Sequence, residues 1–230
     1  MSHSFVDAWG CPTLRWSAVE RRESVNSSDW DARYSSVEHP WGSAPAAALS
    51  ARFAELPPGR AVDLGCGNGR HARWLGDAGW TVNAVDFSSV AIELARSGGE
   101  DRSIDYTVAD GLGRLGRPAR WIWWPSAFLH LPVDELVAVI AGAGSWLAPG
   151  GRLLYLGHAL DNFTHGVGGP PDPSILPAID DLARAASGLQ VHELEHLVRP
   201  IGEGRAIDVL LHAQPWGAAA HRDLKSGTFT

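Results

Sequence analysis

One stretch constrains this chain more than any other. Asp63-Leu64-Gly65-Cys66-Gly67-Asn68-Gly69-Arg70 sets three glycines at alternate positions between a short apolar run and an amphipathic one. Arg60 to Leu64, opened by Pro57-Pro58-Gly59, predicts a buried strand, and Gly69 to Ala78 predicts a helix. Glycines at such a junction permit positive φ and let a ligand approach the backbone near the helix N-terminus. A dinucleotide loop has the spacing G-x-G-x-x-G. Here Arg70 stands where the third glycine belongs and Gly69 comes one residue early, so that reading fails.

The alternation of strand and helix continues downstream. Trp80 to Val85 predicts a strand ending at Asp86, Ser88 to Arg96 a helix capped by Ser88 or Ser89, and Ile104 to Ala109 a strand ending at Asp110. Further on, Val133 to Leu147 predicts a helix, Pro149-Gly150-Gly151 a turn and Arg152 to Leu156 a strand. A loop rich in Gly and Pro reaches Pro177, a helix runs to about Ala186, and Leu189 to Val198 and Arg205 to Ala213 read as late strands. Upstream, Pro45 leads an alanine-rich helix to about Leu56. The pattern is that of an α/β fold, a parallel sheet covered on both faces. Residues 1–24 read as an extension outside the core and open to disorder, 25–216 as one domain, and 217–230 as a tail.

With the spacing acid-x-G-x-G-x-G, the loop resembles the first motif of class I S-adenosylmethionine-dependent methyltransferases. Ala84-Val85-Asp86-Phe87-Ser88 and Ala148-Pro149-Gly150-Gly151-Arg152-Leu153-Leu154 are similar to the same family. Trp30-Asp31-Ala32-Arg33-Tyr34 with Trp41, and Gly157-His158 with Asn162 and Gly166-Val167-Gly168-Gly169-Pro170, resemble its small-molecule branch, which includes tellurite-resistance and thiopurine methyltransferases. The likeness extends roughly from Ser27 to Ala213. It implies a Rossmann-like, mostly parallel seven-stranded sheet with a reversed last strand, and S-adenosylmethionine at the carboxyl ends of the strands.

The same resemblance implies cofactor contacts from Asp63, Gly65, Cys66, Gly67, Asn68 and Gly69 in the loop, and from Asp86 and Phe87 after the second strand. A carboxylate at Asp86 can accept from both ribose hydroxyls; its structural alternative is service to the helix that starts at Ser88. Asp110, with Gly111, is placed for the adenine amino group, or is a solvated turn aspartate. Trp30, Tyr34 and Trp41 either fold over the cofactor as an aromatic lid or pack the lead-in helix on the sheet. Two features depart from the family. Arg120-Trp121-Ile122-Trp123-Trp124-Pro125 stands where the fourth strand belongs, and a proline is poorly tolerated inside a central strand. The extension before Val25 has no counterpart.

Composition narrows the functional classes. There are 26 acidic and 19 basic residues, for a net charge of -7, with no Lys/Arg cluster, which argues against a duplex-binding protein. Two cysteines, Cys11 and Cys66, make no disulfide framework and suit the cytoplasm. No apolar run reaches the roughly 18 residues of a membrane span, and Met1 to Leu14 lacks the layout of a secretory signal. The expected partner is a small-molecule acceptor, with neither nucleic acid nor membrane.

A sulfonium methyl group is already electrophilic, so the protein must position an acceptor and exclude water. A thiol acceptor ionises near neutral pH unaided, whereas a hydroxyl or amine needs a base. His130 and His158, after the fourth and fifth strands, are the candidates; a loop histidine without a chemical role is the alternative for each. His192-Glu193-Leu194-Glu195-His196 satisfies H-E-x-x-H, a zinc-hydrolase pattern. That motif requires a helix, and the flanking Leu189, Val191, Leu197 and Val198 read as a strand, so no metal is expected. The alternative to an enzyme is a non-catalytic S-adenosylmethionine-binding protein whose disturbed fourth strand has lost activity.

Overall fold

The computed structural model describes residues 27–36, 42–54, 56–99, 103–109 and 121–217, the side chains of 121–127 and 143–144 excepted. Trp41, Asp110 and Gly111, the extension before Val25 and the tail from Ala218 lie outside the described residues.

Helices α1 (Ser27–Ser36) and α2 (Ala47–Phe53) precede the sheet. Strand β1 (Arg60–Leu64) has the predicted bounds, because the proline pair and the glycine loop leave no room to extend it. The order continues α3 (Arg70–Asp77), β2 (Thr81–Asp86), α4 (Ser89–Ser97), β3 (Ile104–Val108), β4 (Trp121–Ala127), α5 (Val133–Trp146), β5 (Leu147–His158), α6 (Leu160–His165), α7 (Ile179–Ala185), β6 (Leu189–Ile201) and β7 (Gly204–Pro215). Hydrogen bonds join the strands into one seven-stranded sheet in the order β3-β2-β1-β4-β5-β7-β6. The pairs from β3 to β5 are parallel, and β7 runs antiparallel to β5 and β6. The predicted Gly/Pro loop before Pro177 holds α6 and a 3-10 turn at Pro173–Ile175.

The fourth strand corrects the expectation drawn from its proline. β4 is continuous and pairs with β5 up to Ala127, with Pro125 opposite Leu154. The missing N–H is tolerated because β4 bridges β1 at Trp123, two residues before the proline, while the ladder with β5 carries on past it. The predicted turn at Pro149-Gly150-Gly151 lies inside β5 as an irregularity. Partners step from Trp121↔Leu147 to Trp123↔Arg152, so residues 148–151 loop out against Ile122, and Gly150 takes φ 77°.

The period of two places alternate residues of each inner strand in two cores. Leu153 and Tyr155 of β5 join Val62, Leu64, Leu136 and Ile140 on the α5 and α7 face. Leu154 and Leu156 join Leu49, Phe53, Trp80 and Ile92 on the α2, α3 and α4 face. Both faces of the sheet are therefore covered, which leaves the carboxyl ends of β1, β2 and β4 as the place for a ligand. Among the described residues, no helix is long and apolar enough to cross a membrane.

Candidate functional site

Those strand ends open into a cleft lined from β1, β2, the end of β4 and α1, the place where α/β sheets of this kind hold small ligands. Its floor is the glycine loop. Gly65, Gly67 and Gly69 have φ of 71°, 54° and 78°, values that favour glycine. Close approach reinforces the requirement: a Cβ on Gly67 would lie 2.7 Å from Tyr34 Oη, and one on Gly69 would lie 2.8 Å from Tyr106 Oη.

Asp86 ties the loop to β2. Its Oδ2 accepts the Gly67 N–H at 2.9 Å and its Oδ1 accepts the Ser88 N–H at 2.9 Å. A carboxylate has about four acceptor positions, and with N–H donors from Gly67, Ser88 and Phe87 about one remains for a hydroxyl in the cleft that Asp86 lines. Asp86 also serves the start of α4 through its bond to the N–H of the N-cap residue Ser88, while the capping bonds to the first turn come from other residues. Ser88 Oγ accepts the Ala91 N–H at 3.0 Å, and Asp31 of α1 accepts from Val90 N at 3.2 Å and from Ser88 Oγ at 2.5 Å. Asp31 thereby fastens α1 beside the cleft, with Trp30 and Tyr34 on its wall.

Asp63 lies behind the loop, fully buried, and does not line the cleft. Its Oδ2 finds no hydrogen-bond partner among the described residues. Burial first, and then the neighbouring Asp86, push its carboxyl up to about 7. Asp86 is also raised, by burial, against the downward pull of N–H donors from Ser88, Gly67 and Phe87. Two adjoining acids that resist ionisation favour a cationic ligand, whose charge would offset the cost of both. Cys66 lies beside both acids: burial first, then Asp63 and Asp86, raise its thiol, which stays neutral and serves as packing.

Trp30, Tyr34, Gly65, Cys66, Gly67, Asn68, Asp86 and Phe87 are thus brought together, whereas Asp63 and Gly69 support the loop from behind. The two candidate histidines separate. His130 lines the cleft, stacked on Trp30 with ring centroids 5.4 Å apart and planes at 14°. Neither of its ring nitrogens has a hydrogen-bond partner among the described residues, a deficit worth about 1–3 kcal/mol for a buried polar group. Burial first, then His158 and Arg33, lower it to about 3, so the ring is neutral. His158 lies outside the cleft lining, with Nδ1 2.9 Å from Oδ1 of Asp208, whose Oδ2 accepts from Arg199 Nε at 2.6 Å.

His192 and His196 lie on β6, where residues four apart are separated by roughly 13 Å, too far to share an ion. His192 packs against His212, and His196 Nε2 lies 3.3 Å from Asp161. Among the described residues, no group of three or more His, Cys, Asp or Glu is arranged to hold a metal.

Arg70, His71, Phe128 and Leu129 line the cleft without having been singled out from the sequence. Phe128 is the residue with positive φ that is not glycine among those described, at 58°, and its N–H donates to Leu156 O at 2.7 Å. That conformation breaks β4 and turns the following two residues to the cleft. His71 is structural: its Nε2 accepts the Ala46 N–H at 3.2 Å, and burial holds it well below its ordinary pKa.

Residues 61–151 match the family described as a methyltransferase domain. Among solved structures, one concerned with converting a disulfide bond into a thioacetal group during echinomycin biosynthesis superposes with a TM-score of 0.66 at 22% identity, over 87% of this chain and 96% of that one. TehB from Haemophilus influenzae gives 0.64 at 18%, over 76% of this chain and 64% of that one. An S-adenosylmethionine-dependent methyltransferase from Mesorhizobium loti gives 0.59 at 23%, over 73% and 97%. Likeness at these identities shows the fold. A comparison with curated proteins found no match.

Proposed function

We propose that this chain, whose residues 61–151 match a methyltransferase-domain family, binds S-adenosylmethionine in the cleft and transfers its methyl group to a small-molecule acceptor. The observation that carries the reading is Asp86. It closes β2, accepts N–H groups from Gly67, Ser88 and Phe87, and lines the cleft with about one acceptor position left, which suits a hydroxyl of a ribose.

The residues present fit the group. The glycine loop is a cradle that a Cβ would fill. The raised carboxyl of Asp86 in the cleft wall, and that of Asp63 behind the loop, would both be eased by the positive charge of such a ligand. When bound, the cofactor supplies an activated methyl group; the chain's own work is to fix it, to admit an acceptor and to keep water out. Trp30 and Tyr34 on α1, latched by Asp31, serve that exclusion. Trp41, Asp110 and Gly111 are proposed as further contacts on the resemblance alone. With a continuous β4, nothing in the sheet favours the non-catalytic alternative. The sparse cysteines support a cytoplasmic setting.

The test is formation of S-adenosylhomocysteine from S-adenosylmethionine across a panel of small thiols, phenols, carboxylic acids and amines. The proposal expects turnover with at least one class and none after Asp86→Ala. Saturable cofactor binding without turnover across the whole panel would overturn it in favour of a binding protein.

A further inference from the structure

We propose that His130 takes the proton of a neutral protic acceptor, an O–H or S–H nucleophile with an apolar body, as the methyl group moves to that acceptor. This rests on the cofactor reading above and assigns a residue role and an acceptor class within the same cleft.

Position comes first. The left-handed φ of Phe128, held by its bond to Leu156 O, ends β4 abruptly. Leu129 then packs against Gly65, and His130 joins the wall of the cleft that Gly65 and Asp86 also line. A non-glycine residue in this conformation is strained, and strain of this kind persists where the surrounding structure demands a particular placement.

Chemistry comes second. Other histidines of the fold have evident structural employment: His71 accepts from Ala46 N–H, and His212 Nδ1 lies 2.9 Å from Glu193 Oε1. His130 has neither nitrogen occupied among the described residues, while its ring is fixed by the stack on Trp30. Its walls, Trp30, Phe128 and Leu129, are apolar and suit an acceptor with an apolar body. A neutral imidazole offers such an acceptor one lone pair for its proton and one N–H.

Electrostatics make the transfer self-consistent. Burial first, then His158 of β5 and Arg33 of α1, disfavour a charge on His130, and His158 itself lies 2.9 Å from Asp208 of β7. A bound sulfonium would add a positive charge to that of Arg33 and help to keep the imidazole neutral. As the acceptor's oxygen or sulfur forms its bond to the methyl carbon, the carbon–sulfonium bond breaks and its electron pair returns to sulfur. The acceptor proton passes to His130. One positive charge leaves sulfur and one appears on the imidazole, so the charge of the cleft is unchanged. The basicity of His130 rises in step with the transfer, and its proton returns to water when product leaves.

The experiment needs no identified acceptor. Imidazole ¹⁵N resonances of the wild-type protein are titrated with pH in complexes with S-adenosylmethionine and with S-adenosylhomocysteine, which lacks the sulfonium charge. The His130 signal is assigned by its loss in His130→Gln or, should that variant not fold, by through-bond correlation in the wild type. The expected result is a midpoint higher by about one pH unit or more with S-adenosylhomocysteine, as a unit charge sharing the cleft would produce. Phenol added to the S-adenosylhomocysteine complex is expected to shift the imidazole nitrogens, and anisole, which has no proton to offer, is not. Equal midpoints in the two complexes, or equal responses to phenol and anisole, overturn this inference alone. Failure of both cofactor forms to bind overturns the cofactor reading and this inference with it.

Discussion

Replacing Asp63 with asparagine tests whether the loop carries a latent cost that a cationic ligand relieves. The folded carboxyl keeps its proton up to about 7, against 3.8 ordinarily. Between those values the folded state binds more protons than the unfolded state, so stability is greatest below the window, falls as pH rises through it, and is level above it. At about 1.4 kcal/mol per pKa unit the whole window removes at most about 4 kcal/mol, of which at most about 3 kcal/mol falls between pH 5 and pH 8. Asparagine has the shape of the protonated acid, can accept the Ala72 N–H that the carboxyl accepts, and does not titrate. Urea unfolding of the cofactor-free protein is therefore expected to show Asp63→Asn gaining on the wild type by up to about 3 kcal/mol as pH rises from 5 to 8. The same variant should bind S-adenosylmethionine more weakly, because the negative charge that the cation would neutralise is gone. A stability difference that stays constant across that pH range would refute the reasoning.

Other expectations follow from particular contacts. Gly67→Ala forces an L side chain to φ 54° with its Cβ 2.7 Å from Tyr34 Oη, and should cost about 1–2 kcal/mol and at least about tenfold in S-adenosylhomocysteine affinity. Adding Tyr34→Phe, which removes the clashing oxygen, should restore part of that loss in a double-mutant cycle read by calorimetry. Arg52 on α2 holds Glu193 of β6, whose carboxyl this hydrogen bond, above all, draws down to about 2. The stability from this pair is present above the ordinary carboxylate range and is lost as pH falls through about 2. Thermal unfolding of Arg52→Ala should thus show a deficit of about 1 kcal/mol at neutral pH, discounted for partial exposure, that fades in acid.

Much of the fold was legible because its signals are local. β1 is bracketed by prolines and glycines, Ser88 caps α4 as its position before an apolar period suggests, and the acid ending β2 faces the cleft. Pro125 misled because the rule against proline in a central strand concerns a lost N–H, and which neighbour loses it depends on register, which is set by pairing with distant strands. Asp31 reaches α4 across 57 to 59 positions of sequence, and His71 serves a backbone N–H 25 positions away, so neither role has a local signature. The separation of His130 from His158 was likewise invisible. Both follow a strand end, and only the turn at Phe128 decides which one lines the cleft.

The most direct test of the central claim is calorimetric titration of S-adenosylmethionine and S-adenosylhomocysteine into the wild type and Asp86→Ala. Wild-type binding is expected near the micromolar range, about 8 kcal/mol, with a loss of at least about tenfold when the carboxylate that orders Gly67 and lines the cleft is removed. Absence of binding by folded wild-type protein, or equal binding by the two proteins, would contradict that claim.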